Sequence, residues 1–184
     1  YAVISVTTLR AEQSYIPPGN TTVPVLYFTL TTDVDGEDVG SVTISDGYAP
    51  SAVIPIKVGF GHGINKLSVY EDTNGDGSFN TTDDTLKQSA TFTASSGSSA
   101  TPTTLSFTKP LSSTATGYFI TYDVDSDVTL ATIGKVDLTE VKGATVTQDA
   151  QSITISGISV LSVSDISPSL VIPGLTAYEK VEIL

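Results

Sequence analysis

The chain has 184 residues, with 20 acidic and 8 basic side chains and no Cys, Met or Trp. A net charge of −12 argues against nucleic-acid binding, because phosphate contacts need clustered Lys and Arg. Without Cys there is no disulfide, thiolate metal site or cysteine nucleophile, and a single His removes the common triads and poly-His metal sites. That residue, His62, lies in a glycine-rich run at 59–63, which indicates a loop residue rather than a catalytic base.

Secondary structure is the clearest signal in the chain. Val, Ile, Thr and aromatic residues alternate in short runs bounded by Gly, Pro, Asn or Asp, and no run keeps a helical period. Between residues 25 and 30, odd and even positions face opposite sides of one strand. The pattern predicts an all-β fold, an antiparallel β-sandwich of jelly-roll or immunoglobulin-like type. The predicted strands are 2–9, 23–31, 40–45, 52–60, 65–70, 89–94, 104–108, 117–124, 129–138, 152–155, 159–163 and 178–184.

The beginning of the chain suggests a role in assembly. Because it starts at Tyr1 and has no apolar run long enough for a membrane span, we expect a secreted protein whose signal peptide has been removed; a fragment of a larger surface protein would look the same. Residues 1–12 are predicted to be a donor strand for the open edge of a neighbouring subunit, with a sandwich domain at 13–166. The apolar side chains of that strand are Val3, Ile4, Val6 and Leu9.

Two sequons follow the pattern Asn-x-Thr, at Asn20 and Asn80. In a secreted protein either could carry a glycan on a surface loop. Because Asn80 also falls among the metal-ligand candidates described below, Asn20 is the predicted glycosylation site.

Two acidic clusters follow predicted strand ends. Alternate acids of an extended segment share one side, where they repel unless they are solvated or bridged by a cation. A solvated loop and a second metal site therefore both stay open for each cluster. The first consists of Asp33, Asp35, Glu37 and Asp38, and the second of Asp123, Asp125 and Asp127.

A loop between two predicted strands has the spacing of a calcium site. Counted as twelve residues from Asp72, it places oxygen-bearing side chains at positions 1, 3 and 5 and a glycine at the sharp turn of position 6. Position 12 holds Asp where an EF-hand has Glu, so the following Asp could supply a missing oxygen. The flanks are strands, which excludes an EF-hand proper. The candidate Ca²⁺ ligands are Asp72, Asn74, Asp76, Ser78, Asn80, Asp83 and Asp84.

Two alternatives compete with calcium at this loop. Asn, Asp and Gly are favoured in turns in any case, so a metal-free hairpin is possible. A paired-carboxylate glycosidase is disfavoured, because the chain has no Trp and few aromatic residues near the acids to stack on a sugar. We therefore expect no enzyme activity.

The last segment, 167–184, is predicted to be a C-terminal strand. It is similar to residues 15–30: both contain Pro-Gly-x-Thr followed by apolar residues in the same register. The similarity would fit a unit cut from a tandem array, or two strands that occupy equivalent edge positions in an assembly.

The segment from Val69 to Gly77, the acidic residues after it, and the later strand at 117–124 resemble β-sandwich modules of prokaryotic surface proteins. In size, acidity, lack of Cys and calcium loop, the whole chain resembles the subunits of archaeal cannulae. The resemblance implies a calcium-dependent extracellular tube, built from β-sandwich subunits that are joined by strand donation.

These observations lead to one principal functional hypothesis and one alternative. The principal hypothesis is a structural subunit of an extracellular filament or tube, whose partners are copies of itself. Divalent ions would relieve the repulsion between its like-charged subunits. The alternative is a calcium-stabilised adhesion or carbohydrate-binding module of a larger cell-surface protein.

Overall fold

The computed structural model describes residues 3–13, 16–46, 59–93, 102–126 and 136–143. Within these ranges the chain consists of strands and loops, with no helix. The predicted all-β class is confirmed. The strands are β1 (Ile4–Ala11), β2 (Val23–Thr32), β3 (Asp38–Ser45), β4 (Gly59–Phe60), β5 (Gly63–Asp72), β6 (Thr85–Thr91), β7 (Thr103–Pro110), β8 (Thr116–Val124) and β9 (Asp137–Gly143).

The strands form two sheets that pack as a sandwich. The larger sheet has the order β1-β2-β8-β5, and the far edge of β5 pairs with both β4 and β6. The smaller sheet has the order β7-β3-β9. In the larger sheet β5 lies antiparallel to β8, with Asp72 opposite Gly117. The named strands pair antiparallel except for the two-residue strand β4, which runs parallel to β5.

The hydrophobic core lies between the inner faces of the sheets. Alternation in β2 and β8 turns one set of apolar side chains of each strand inward, where they meet the smaller sheet. Burying each large side chain of this kind contributes about 1.5–3 kcal/mol. The inward residues include Leu26, Phe28, Leu30, Tyr118, Ile120 and Tyr122 from the larger sheet and Val42, Ile44, Leu138 and Val141 from the smaller one.

The outer face of the larger sheet is also covered at its centre. Tyr27, Thr29 and Phe119 alternate with core residues, and yet each is at most 7% exposed. The cover comes from the 73–84 loop, whose Phe79 ring lies 5.3 Å from that of Phe119, and from Arg10 of β1 above Tyr27. The central strands are therefore buried on both faces.

Each described strand overlaps a predicted one, and the largest displacements are at β6 and β9. β6 begins four residues before its predicted start, because its pairing with β5 resumes directly after the loop, with Thr85 opposite Glu71. β9 continues five residues beyond its predicted end at 138. The predicted strands 152–155, 159–163 and 178–184, most of 52–60 and of 129–138, and the C-terminal segment 167–184 lie outside the described residues.

Strand β1 pairs with β2 of its own chain. Ile4 is buried in the core, and Val6 and Leu9 pack against it. The Val3 amide donates a hydrogen bond of 2.6 Å to Asp33 Oδ1. Among the described residues no strand pairs with the other edge of β1. Donation of this strand to a neighbouring subunit stays a prediction.

Candidate metal-binding loop

The 73–84 loop leaves the end of β5 and folds back over the outer face of the larger sheet. Its anchor is Phe79, whose ring packs edge-on against Tyr70 at 5.2 Å and Phe119 at 5.3 Å. Edge-to-face aromatic pairs are a favoured geometry. This packing holds the loop against the sheet, with its acidic side chains beside the last residue of β5.

Asp72, the last residue of β5, is the buried residue from which the loop starts, and it is only 5% exposed. Its Oδ1 accepts a hydrogen bond of 2.8 Å from the Gly75 amide, and its Oδ2 accepts one of 3.0 Å from the Gly77 amide. Oδ2 also accepts a bond of 3.1 Å from the Tyr27 hydroxyl. Both glycines have positive φ, 71° and 69°, which side chains with a Cβ rarely adopt.

The next two candidate ligands, Asn74 and Asp76, also accept hydrogen bonds from backbone amides of the loop. Asn74 Oδ1 accepts from the Asp76 amide at 3.1 Å, and Asp76 Oδ1 accepts from the Ser78 amide at 2.7 Å. The Asn74 side-chain amide donates to Asp76 Oδ2 at 2.9 Å. Positions 1, 3 and 5 of the predicted calcium loop are thus held in succession on a tight turn by the amides of the loop itself.

Asp84 brings a buried carboxylate to this loop. It is 6% exposed, and its Oδ2 accepts a bond of 2.7 Å from the Asn80 amide. Its Oδ1 is buried without a hydrogen-bond partner among the described residues. Burial raises the pKa of Asp84, the charges of Asp72 and Asp76 raise it further, and the Asn80 and Thr73 amides act in the opposite direction.

Asp83, which the spacing placed at position 12, is in a different environment. Its side chain is exposed and accepts a bond of 2.9 Å from the Asn80 side-chain amide. Of the two neighbouring acids, Asp84 is therefore the one that the fold buries next to the charges of Asp72 and Asp76. Sequence spacing alone could not distinguish them.

Arg10, from β1, contacts the loop and was missed by the sequence analysis. Its guanidinium carbon lies 4.0 Å from the centroid of the Tyr27 ring, a cation–π distance. Its Nη2 donates to the Gly77 carbonyl oxygen, and its Nε pairs with Glu12 at 2.6 Å. No sequence signal could have linked residues 67 positions apart.

The two other acidic clusters lie where strands end or begin. Asp33 and Asp35 are exposed and each accepts a backbone amide, from Val3 and from Ser113 respectively. Asp123 accepts the Thr22 amide at 2.6 Å. Glu37 and Asp38 are half-buried at the start of β3, Asp125 is exposed, and Asp127 lies outside the described residues.

Over the part of the chain that the structure describes, no three His, Cys, Asp or Glu side chains converge closely enough to form a ready metal cage. The predicted glycosylation site, Asn20, is exposed on the loop before β2, where its carbonyl oxygen accepts the Val124 amide at 2.9 Å. His62 lies in the turn between β4 and β5, where its amide donates to the Gly59 carbonyl oxygen.

A buried ion-pair cluster links the two sheets next to the loop. Glu71, 7% exposed, contacts Lys87 of β6 at 3.1 Å and Lys109 of β7 at 2.5 Å. Burial alone would raise the pKa of Glu71, but the two ammonium groups outweigh it and lower that pKa. The nearby Tyr118 hydroxyl is buried, and burial together with the Glu71 charge raises its pKa. The cluster ties β5, β6 and β7 together.

No helix among the described residues is long and apolar enough to cross a membrane.

Comparison with known proteins yields structural similarity only. No family model matches the chain, and no curated protein does. Among solved structures it is similar to Hadza microbial sialidase Hz136, with a TM-score of 0.58 and 13% identity. The match covers 82% of this chain and 30% of the sialidase, so the chain spans less than a third of its neighbour's length. At this identity the likeness concerns the fold, and it agrees with the all-β sandwich.

Proposed function

We propose that this chain is a calcium-stabilised β-sandwich unit of an extracellular protein, with a structural or binding role rather than a catalytic one. The observation that carries the proposal is the buried Asp84 Oδ1, which has no hydrogen-bond partner of ordinary geometry within the described residues and lies beside the charges of Asp72 and Asp76. A buried carboxylate oxygen without a partner is costly, and calcium is the hard cation that oxygen ligands on such a loop suit.

Calcium binding would require a small closure of the loop. Hydrogen bonds from the backbone amides of the loop already orient Asp72, Asn74 and Asp76. The ion would draw these side chains and Asp84 towards one centre. The Ser78 carbonyl and water would complete the six to eight oxygens that calcium takes. Asp83 and Asn80 form the outer edge of the site.

The test is a calcium titration of the whole chain by calorimetry and thermal unfolding, with magnesium as the competing ion. At a hundredfold excess over Kd, calcium adds about 2.7 kcal/mol, which raises Tm by roughly 5–10 °C for a chain of this size. Asp84→Asn should weaken binding at least about tenfold, since it removes a charged ligand. The matched control is Glu140→Gln, a partly exposed acid on β9 that lies outside every candidate metal cluster. Unchanged Tm with calcium, or equal affinities for Asp84→Asn and wild type, would contradict the proposal.

A filament or tube subunit is the second candidate, and it is favoured by the position of β1. Among the described strands it lies at an edge of the larger sheet, and it inserts Ile4 into the core. The slot that it fills could be filled equally by the same strand of another copy. Electron microscopy of the purified chain with and without calcium distinguishes the candidates: calcium-dependent polymers would favour the filament, and monomers in both conditions the single module.

The binding-module candidate takes some support from the structural neighbour, which is named as a sialidase and of which this fold matches a part. A glycan array that includes sialylated glycans, probed with calcium present, tests it. Binding that disappears on calcium removal would support a calcium-stabilised carbohydrate-binding role, and an array without any bound glycan would leave the structural role.

A further inference from the structure

The first strand and the candidate calcium loop meet directly. Arg10 extends from β1 across the outer face of the larger sheet and donates to the Gly77 carbonyl oxygen. In the loop, Gly77 stands between the candidate ligands Asp76 and Ser78. A guanidinium on this carbonyl therefore contacts the backbone at the point where a bound ion would fix it.

Tyr27 makes a second connection between the same two parts. Its ring lies under the Arg10 guanidinium at 4.0 Å, and its hydroxyl donates to Asp72 Oδ2 at 3.1 Å. Arg10 thus touches the loop once directly and once through Tyr27.

The space for this connection is provided by Gly117 of β8. A Cβ placed on Gly117 would lie 2.5 Å from the Tyr27 hydroxyl oxygen and 2.9 Å from Asp72 Oδ2. Because real side chains essentially never approach so closely, the absence of a side chain at 117 is what lets Tyr27 reach Asp72. The three strands β2, β5 and β8 converge on one contact.

We infer that the 73–84 loop is a latch for the first strand: calcium in the loop strengthens the docking of β1, and Arg10 and Tyr27 are the positioning residues that couple them. The inference rests on the proposed calcium function. A loop held by an ion presents the Gly77 carbonyl and Asp72 in fixed positions, so Arg10 loses less freedom on contacting them. By linkage, docked β1 must strengthen calcium binding by the same factor.

Apart from Glu12, which follows β1 on the same segment, the partners of Arg10 belong to the body of the sandwich, on β2 and on the loop. The latch therefore acts on β1 whether the strand comes from the same chain or from a second copy. The connection consists of one charge-assisted hydrogen bond and one cation–π contact. We therefore expect docking of β1 to change the calcium affinity about tenfold, within the usual range of coupling between sites.

The experiment measures calcium affinity by calorimetry and amide exchange by mass spectrometry on the same full-length samples. Saturating calcium should slow exchange in Ile4–Ala11 about tenfold relative to Asp137–Gly143, an edge strand of the other sheet. Arg10→Lys keeps the charge but loses the planar stacking and fork of donors. It should bind calcium with affinity reduced by the coupling factor and show little calcium-linked slowing in β1.

Tyr27→Phe is the second variant, because it keeps the ring under Arg10 and removes only the hydroxyl; it should lose part of the slowing. Lys142→Ala, which removes a surface cation paired with Glu140, is the matched control and should behave as wild type. Calcium binding without a change in β1 exchange, or full slowing in Arg10→Lys, would overturn the latch and leave the calcium site intact. Absence of calcium binding would overturn both.

Discussion

Adding a single methyl group at Gly117 tests the packing at the centre of the proposed site. In most strand positions Gly→Ala stabilises by roughly 0.5–1 kcal/mol, because glycine loses more backbone freedom on folding. At 117 the new Cβ would lie 2.5 Å from the Tyr27 hydroxyl oxygen and 2.9 Å from Asp72 Oδ2. Both neighbouring atoms belong to packed residues, so we expect Gly117→Ala to destabilise the protein rather than stabilise it.

The size of the effect follows from three contributions. Overpacking a well-filled site costs about 1–3 kcal/mol, and losing the Tyr27–Asp72 hydrogen bond costs about 0.5–1.5 kcal/mol. The glycine entropy term offsets about 0.5–1 kcal/mol of this. With the middle of each range the net loss is about 2 kcal/mol, which should lower Tm by roughly 4–8 °C.

Thermal unfolding of Gly117→Ala, followed by circular dichroism, gives the answer. Gly143→Ala is the matched control: its Cβ would lie 2.7 Å from Glu37 Oε1, the far end of a flexible side chain that can move aside, so Tm should change by less than about 2 °C. Adding Tyr27→Phe to Gly117→Ala should recover part of the loss, since it removes the closest atom. Wild-type Tm and calcium affinity in Gly117→Ala would refute this account of the site.

Three further predictions concern residues around the loop. Glu71→Gln should lower stability by about 1–3 kcal/mol at pH 7. Because the folded pKa of Glu71 lies below its ordinary 4.5, the stabilisation from its carboxylate is present above pH 4.5 and is lost as the pH falls through the lower folded value. Urea unfolding at pH 7 and pH 3 should therefore show the stabilities of the variant and wild type converging in acid. Phe79→Ala removes the loop anchor and should lower both Tm, by roughly 2–8 °C, and calcium affinity in calorimetry; an unchanged affinity would mean that the anchor does not order the site. Thr22 is β-branched with φ 54°, so Thr22→Asn should raise stability by up to about 1 kcal/mol in chemical unfolding, whereas a loss would mean that its side-chain contact with Tyr70 outweighs the strain.

The sequence predicted the β class and most strands of the middle of the chain because alternation is a local property. It also located the loop, since Asp, Asn and Gly at this spacing already favour a tight turn. It placed Asp83 at position 12 of the loop, whereas the fold buries Asp84, because burial depends on how the end of the loop turns as β6 begins to pair at Thr85. Which of two adjacent acids is buried cannot be read from spacing.

What the sequence determined by itself is therefore the set of strands and a candidate oxygen-rich loop, both built from neighbours along the chain. The tertiary structure decided what covers that loop and what it touches. Arg10 and Gly77 are 67 residues apart, and Tyr27 and Asp72 are 45 apart. They meet because β1, β2, β8 and β5 lie side by side in that order. Strand order depends on the packing of all the strands at once, and with it the coupling between the first strand and the loop.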